Sequence, residues 1–239
     1  MPEPSGGSTP PLKPARLKLV VRSSTGAGKP ETLSEAVYRQ IRRDILSGLL
    51  APGQRLALSA LRERHAASFG VVREALSRLA GERLVQATPQ LGFRVHAPSP
   101  AGLRDMIAIY RRIERMAVRR AFACGDVAWE ARVLAAGHTL VRTSAQAPAD
   151  PEQAFADMQA AYHTALLGAC DSPCLLELWR SLYDALAAHR RAGIRTAVQR
   201  AEIGDRYQAV THAVLDRDIA SAMERLAQCD PSPADEAGA

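Results

Sequence analysis

Residues 56–85 of the chain, LALSALRERHAASFGVVREALSRLAGERLV, predict two short helices joined by a tight turn and followed by a strand. Leu58 and Leu61 lie one turn apart, so the first helix has one buried face and leaves its charged residues in water. Ser68 can cap the second helix by accepting a hydrogen bond from an early backbone N–H. Such a pair, with arginines on the outer face of the second helix, is typical of a helix-turn-helix that enters the major groove of DNA. A small helical hairpin of no DNA-binding function fits this segment equally well.

The flanking segments add a helix on one side and a two-stranded wing on the other. Upstream, the apolar periodicity of residues 33–46 predicts an amphipathic helix that ends at Ser47-Gly48. Downstream, apolar and polar residues alternate on both sides of a turn at residues 89–92, which predicts two paired strands. Together these elements predict a winged helix-turn-helix domain over residues 31–97.

Four motifs in this domain stand in register without a gap. They are Ile45-Leu46-Ser47-Gly48, Pro52-Gly53-Gln54-Arg55-Leu56, Val72-Arg73-Glu74-Ala75-Leu76 with Leu79, and Leu84-Val85 followed by Pro89 and Gly92. With these motifs, residues 33–97 resemble the DNA-binding domain of the GntR family of bacterial transcriptional regulators. The resemblance implies a domain whose partner is double-stranded DNA.

The 239 residues are enough for two domains with a core each, and their charge is uneven. Residues 1–97 hold 15 Lys and Arg against 7 Asp and Glu, whereas residues 98–239 hold 16 against 18. The excess of positive charge beside the helix-turn-helix suits a polyanion and predicts a salt-dependent affinity. A basic domain that serves only solubility is the alternative.

The two ends of the chain predict disordered tails rather than packed elements. Residues 1–30 form a basic tail rich in Pro, Gly, Ser and Thr, and residues 231–239 form a second tail. The first tail has no apolar segment typical of a secretion signal, and no apolar run in the sequence reaches the length of a membrane span. We therefore expect a cytoplasmic protein with no membrane partner. Its four cysteines lack zinc-ribbon spacing and are expected to be reduced thiols.

The C-terminal half predicts an all-α bundle. Residues 98–101 read as a linker stiffened by prolines, and residues 102–230 contain about six amphipathic helices. The segment HTALLGACDSPCLLEL at residues 163–178, preceded by Tyr162, resembles the FCD effector-binding domain of the FadR subfamily of GntR regulators. The two resemblances together cover residues 33 to about 230. They imply a mainly α protein, with an N-terminal winged helix-turn-helix that has a small β-hairpin wing and a C-terminal bundle for effector binding and dimerisation.

Many FCD domains bind a divalent metal through an Asp, a His one turn later, and two further His residues on the last two helices. In this chain the four positions fall on Gln159, His163, Tyr207 and Cys229, so one usual ligand is retained. We therefore expect no metal cofactor, although His163 and Cys229 are the residues that could contribute to one. Gln159, His163 and Tyr207 instead predict a neutral, hydrogen-bonding effector pocket. His163 fits either a ligand contact or a satisfied core imidazole.

The family resemblance also suggests the chemical class of the effector. Such pockets take small carboxylates, sugar acids, amino acids or acyl-CoA, which implies an organic acid. The family often places an Arg one turn before Glu114, where this chain has Tyr110. Arg111 is our candidate for binding an anion, with Arg115 as a second possibility. A solvated basic face is the alternative for both.

The start of the recognition helix departs from the family. The family's run Ser-Arg-Thr-Pro-Val-Arg-Glu-Ala-Leu reads SFGVVREAL at residues 68–76. The loss of an Arg at Phe69 removes a potential bidentate guanine contact, typically about 1 to 3 kcal/mol of discrimination, whereas a Phe can touch a thymine methyl. Arg73 is retained and is the first candidate for a groove contact. In the wing, Leu91 replaces a usual Arg. The predicted DNA-binding residues are Ser68, Phe69, Gly70, Arg73, Arg78, Gln90, Gly92 and Arg94.

The sequence as a whole predicts a ligand-responsive transcriptional regulator, most simply a repressor, that binds a pseudo-palindromic operator as a homodimer. We expect its operator to differ from the family's commonest half-site. The alternative is a degenerate regulator that senses a ligand or protein partner without specific DNA binding, which Phe69, Gly70 and Leu91 would explain. An enzyme is not expected, because the sequence lacks a nucleophile–base pair, a phosphate-binding loop and an HExxH motif.

Overall fold

The computed structural model of the protein describes residues 32–146, 150–190 and 196–229. The tails predicted at residues 1–30 and 231–239 lie outside these ranges. The described residues of the N-terminal domain form α1 Leu33–Leu46, β1 Arg55–Leu56, α2 Leu58–His65, α3 Phe69–Gly81, β2 Val85–Thr88 and β3 Gly92–Val95. Those of the C-terminal domain form α4 Pro100–Cys124, α5 Val127–Ser144, α6 Pro151–Leu166, α7 Pro173–Arg190, α8 Ala197–Leu215 and α9 Ile219–Cys229.

The helix-turn-helix forms as the sequence predicts. Ala66 adopts the left-handed conformation with a φ of 48°, which ends α2 within one residue. Ser68 then caps α3, its hydroxyl oxygen accepting a hydrogen bond from the Val71 N–H at 3.3 Å. The apolar side of α3 packs against α1. The fully buried side chains of this core include Ile41, Ile45, Val72, Leu76 and Leu79.

The wing contains one strand more than the sequence predicts. Its antiparallel sheet has the order β1-β3-β2, with Arg55 opposite Arg94 and Leu56 opposite Phe93. The short strand β1 follows a turn at Gly53, whose φ of 78° favours glycine. A strand of two residues is too short to show an alternating pattern, so sequence reasoning could not find it.

The C-terminal domain is a bundle of the six helices α4–α9 in the part of the chain that the structure describes. The linker is shorter than predicted, because Pro100 and Ala101 form the first turn of α4 and Ser99 caps it. A proline fits this first helical turn, where its missing N–H would have no partner. None of the described helices is both long and apolar enough to cross a bilayer.

Small residues let α5 and α8 pack closely. A Cβ atom at Gly137 would lie 2.5 Å from the Thr211 hydroxyl oxygen, and one at Gly204 would lie 2.5 Å from that of Ser144. Both distances are too short for any side chain larger than hydrogen. The close packing of α5 fixes the position of α8, the helix that carries Tyr207.

Gly137→Ala is expected to destabilise the bundle by about 1 to 3 kcal/mol through overpacking. Both tryptophans, Trp129 and Trp179, lie in the bundle, so their fluorescence during denaturant unfolding reports on this domain. The double variant G137A/T211A should lose less stability than the sum of the two single losses, because the Thr211 hydroxyl oxygen is the atom with which the new Cβ would clash. Additive losses would contradict this packing.

Candidate functional site

The recognition helix α3 has an exposed face that begins at its N-terminal turn. Phe69, Gly70 and Arg73 are exposed, and 51% of the Phe69 surface is accessible to solvent. Ser68 lies beside them and uses its side chain to cap the helix. The structure therefore brings four of the predicted DNA-binding residues to the helix end that contacts bases in helix-turn-helix proteins.

Arg62 in α2 is a neighbour of Phe69 that the sequence did not reveal. Its guanidinium carbon lies 4.8 Å from the centre of the Phe69 ring. The sequence predicted only that Arg62 stays in water, and its side chain is indeed exposed. Its contact with Phe69 crosses the turn between two helices, so neither helical periodicity nor motif spacing points to it.

Arg78 has other partners, although the sequence proposes it for DNA contact. Its Nη1 lies 2.8 Å from a carboxylate oxygen of Glu35, and its guanidinium carbon lies 3.9 Å from the centre of the Tyr38 ring. The hydrogen bond to Glu35 raises the pKa of Arg78. Both partners belong to α1, so a DNA contact by Arg78 would compete with its binding to that helix.

The predicted wing residues occupy the hairpin between β2 and β3. Gln90 and Gly92 have φ values of 63° and 85°, which make the turn, and Leu91 between them is 63% exposed. Arg94 lies further back on β3 and donates from Nη1 to the Gly53 carbonyl at 3.2 Å. The turn thus presents Gln90 and Leu91, while Arg94 lies in the middle of the sheet.

In the bundle, Gln159, His163 and Tyr207 come together as the sequence predicts. The Tyr207 hydroxyl lies 2.8 Å from His163 Nε2 and accepts a hydrogen bond from Gln159 Nε2 at 3.5 Å. All three side chains are buried. We call these three residues, together with Glu114 and Trp179, the polar cluster.

Glu114 brings an acidic group to the polar cluster, which corrects the prediction of a neutral pocket. Its Oε1 lies 3.2 Å from His163 Nδ1, without the alignment of a hydrogen bond. The same oxygen accepts hydrogen bonds from the Tyr110 hydroxyl at 2.5 Å and from Trp179 Nε1 at 3.3 Å. Glu114 stands among arginines in the sequence, so its burial was not predicted. The spacing of Tyr110 and Glu114, one turn apart on the inner side of α4, is the signal that could have indicated it.

Aromatic rings of α6, α7 and α8 lie around His163. The Trp179 ring stacks on the imidazole with centroids 5.8 Å apart, and the Tyr183 ring lies 5.3 Å away. On the other side, Tyr162 meets Tyr207 edge to face at 4.9 Å. Burial raises the pKa of Tyr162, so its phenol stays protonated.

The residues at the four family metal positions do not fit a divalent cation. Gln159 and Tyr207 are neutral, and the His163 Nε2 atom is already bound to the Tyr207 hydroxyl. The Cys229 thiol donates to the Arg225 carbonyl at 3.4 Å. Within the described ranges, no three His, Cys, Asp or Glu side chains lie close enough together to hold a metal. The absence of a bound metal in solution stays a prediction.

Arg111 lies beside the polar cluster, next to Glu114. It lines a cavity of about 20 Å³ together with Glu114, Arg115, Val118, Met223, Leu226 and Ala227. A cavity of this size holds one water molecule and is too small for an organic acid. An organic acid could enter this cavity beside Arg111 only if these side chains moved apart.

A charged contact links the winged domain to the bundle. Arg42 on α1 forms an ion pair with Asp184 on α7, and its Nε lies 3.3 Å from Glu82 at the end of α3. Glu82 also accepts a hydrogen bond from the Tyr38 hydroxyl, and burial together with this hydrogen bond raises the pKa of Tyr38 to about 12. These residues line a groove of about 570 Å³ between α1 and α7. We call Arg42, Glu82 and Asp184 the interdomain contact.

Comparison with known proteins agrees with this architecture. The family described as "Bacterial regulatory proteins, gntR family" matches residues 33–95, and the FCD domain matches residues 105–229. The chain is 37% identical to the HTH-type transcriptional repressor GlaR of Escherichia coli (strain K12), over 80% of this chain and 89% of that protein. It is 34% identical to the uncharacterized HTH-type transcriptional regulator BphR of Paraburkholderia xenovorans (strain LB400), over 82% and 81%.

A solved structure shares the fold. The structure of E. coli McbR/YncC has a TM-score of 0.71 and 22% sequence identity, and the match covers 83% of this chain and 93% of that one. These matches confirm the family and fold inferred from the sequence, in a family of transcriptional regulators rather than enzymes. The chain belongs to the gntR family of bacterial regulatory proteins and carries an FCD domain.

Proposed function

We propose that this regulator is a cytoplasmic repressor that binds a pseudo-palindromic operator as a homodimer. The observation that carries the proposal is the exposed first turn of α3, where Phe69, Gly70 and Arg73 project from a fully packed core. The relative GlaR is named a repressor, which supports the direction of regulation. A dimer places two recognition helices on half-sites one helical turn of DNA apart, which supports the pseudo-palindrome.

Binding to duplexes from the region upstream of the protein's own gene, over a salt series, tests this proposal. Wild-type protein should select one site, and its log affinity should fall linearly with log salt. Arg73→Met should relax the preference for one base pair by about 1 to 3 kcal/mol. Arg119→Met, which removes an exposed arginine from α4 in the bundle, is the control and should leave that preference unchanged. A shallow salt slope without sequence preference would support the degenerate regulator instead.

We further propose that the polar cluster binds the effector. It is a group of buried polar side chains that come from the four helices α4, α6, α7 and α8. The sequence predicts an organic acid, and Gln159 and Tyr207 can donate hydrogen bonds to a carboxylate. Glu114 would repel the same carboxylate, so an acid must bind on the Gln159 side of His163.

Small molecules that co-purify with the protein, identified by mass spectrometry and added back, test the effector site. The identified compound should raise the melting temperature of wild-type protein and raise that of Tyr207→Phe less, because the variant lacks the hydroxyl that links Gln159 to His163. Thr139→Val, which removes an exposed hydroxyl from α5, is the matched control. Zinc and nickel should leave the melting temperature unchanged. A metal-dependent rise that His163→Ala abolished would show that the metal prediction is wrong.

The interdomain contact offers a route from effector to DNA. Tyr183 on α7 contacts His163, and the next residue, Asp184, binds Arg42. Arg42 in turn binds Glu82, at the end of the recognition helix. A ligand that shifts α7 would therefore favour one position of the winged domain over another, which is the differential interaction that allostery needs.

Asp184→Asn should weaken this coupling while leaving operator selection intact. Operator affinity measured with and without the co-purified compound should differ less in this variant than in wild type. A typical coupling is about 5- to 150-fold, and the loss should be a substantial part of it. Glu177→Gln removes an acid that lines the same groove from the same helix and should keep the wild-type response. An unchanged response in Asp184→Asn would contradict the proposed route.

A further inference from the structure

Arg62 and Phe69 form one unit at the first turn of the recognition helix. Phe69 is the first residue of α3, and Arg62 reaches it from α2 across the turn. Both side chains are exposed in the free protein. A role of this pair in DNA recognition rests on the proposed sequence-specific binding.

Phe69 by itself cannot read a base edge by hydrogen bonding. A benzyl group has no donor or acceptor, yet the first residues of the second helix are those that reach base edges in a helix-turn-helix. A large apolar side chain that is half exposed gains only part of the stabilisation that full burial would give. The exposed position of Phe69 is explained if its ring supports another side chain and becomes buried when DNA binds.

Arg62 has the chemistry that Phe69 lacks. A guanidinium presents five N–H donors around its edge, and one that lies on an aromatic face is held by cation–π attraction while its edge stays available. A ring under the guanidinium also limits its rotamers, which lowers the entropy cost of binding. The distance of 4.8 Å from the Arg62 guanidinium carbon to the ring centre is within the range of this interaction.

Three arginines of the winged domain are bound to acids, whereas Arg62 is not. Arg64, on the same helix, pairs with Asp44 at 3.0 Å, Arg78 pairs with Glu35, and Arg42 pairs with Glu82 and Asp184. Among the described residues, the Arg62 guanidinium has no carboxylate partner and packs on the Phe69 ring. Its charge is therefore available to a ligand without the loss of an ion pair.

We propose that Arg62, positioned by Phe69, reads a guanine in the major groove of the operator. An arginine at position 69 would make this contact from α3. Arg62 makes it instead from α2, with its guanidinium supported by the Phe69 ring. Arg62 is then a specificity-determining residue and Phe69 a positioning residue. The guanidinium would bind guanine O6 and N7, which is the commonest specific protein–DNA contact.

The test measures affinity for the operator found by selection from randomised duplexes and for versions in which each base pair is replaced in turn. Arg62→Met should lose about 5- to 150-fold discrimination at one G·C pair per half-site and keep its preferences elsewhere. Phe69→Ala should lose part of the discrimination at the same pair, and the double variant should match Arg62→Met alone. Phe69→Tyr keeps an aromatic face and should keep the preference.

Two further variants separate a reader from a structural or purely electrostatic residue. Arg43→Met removes an exposed arginine from α1 and should leave every base preference unchanged. Arg62→Ala with Phe69→Arg moves the guanidinium to α3 and should restore a preference for guanine, which a merely misfolded variant could not do. Melting temperatures close to wild type for each variant show that the domain is folded.

Three outcomes would overturn the proposal. Full discrimination in Arg62→Met would show that Arg62 does not read DNA. An equal loss for all duplexes, with a salt slope smaller by about one, would make Arg62 a phosphate contact instead. A wild-type protein that selects no site would contradict the proposed function and this inference together, whereas the first two outcomes leave the proposed function intact.

Discussion

The packing of α3 against α1 is the contact on which the DNA-binding surface depends. Val72, Leu76 and Leu79 are completely buried, so helical periodicity turns Arg73 away from the core, while Phe69 is exposed at the first position of the helix. The Ser68 cap fixes where the helix begins, and the left-handed residue Ala66 brings α2 back alongside it. A shift in this packing would move the arginines of both helices relative to DNA.

The same packing ties DNA recognition to the bundle. Arg42 lies on α1 and contacts both the end of α3 and α7, so the helix that supports the recognition helix also touches the effector domain. In the bundle, α7 places Trp179 and Tyr183 against His163 and Asp184 against Arg42. One helix thus contacts the polar cluster and the winged domain at neighbouring residues. A ligand can act over this distance only if it favours one of two arrangements of these packed elements.

Much of the fold follows from the sequence because its signals are local. Residues a few turns apart are enough to predict the apolar spacing of α3, the Ser68 cap and the helices of the bundle. The convergence of Gln159, His163 and Tyr207 follows from the family pattern.

The features that the sequence did not predict come from contacts between distant or short elements. The strand β1 is too short to show a period, and Glu114 looks solvated among arginines until α4 is packed. The Arg62 and Phe69 pair appears only when two helices meet.

A structure of the protein bound to its selected operator would test the account most directly. We expect the first turn of α3 in the major groove, the Arg62 guanidinium within hydrogen-bond distance of guanine O6 and N7, and the Phe69 ring covered beneath it. An Arg62 side chain directed into solvent or onto a phosphate, with Phe69 alone against the bases, would contradict the account of how this regulator reads DNA.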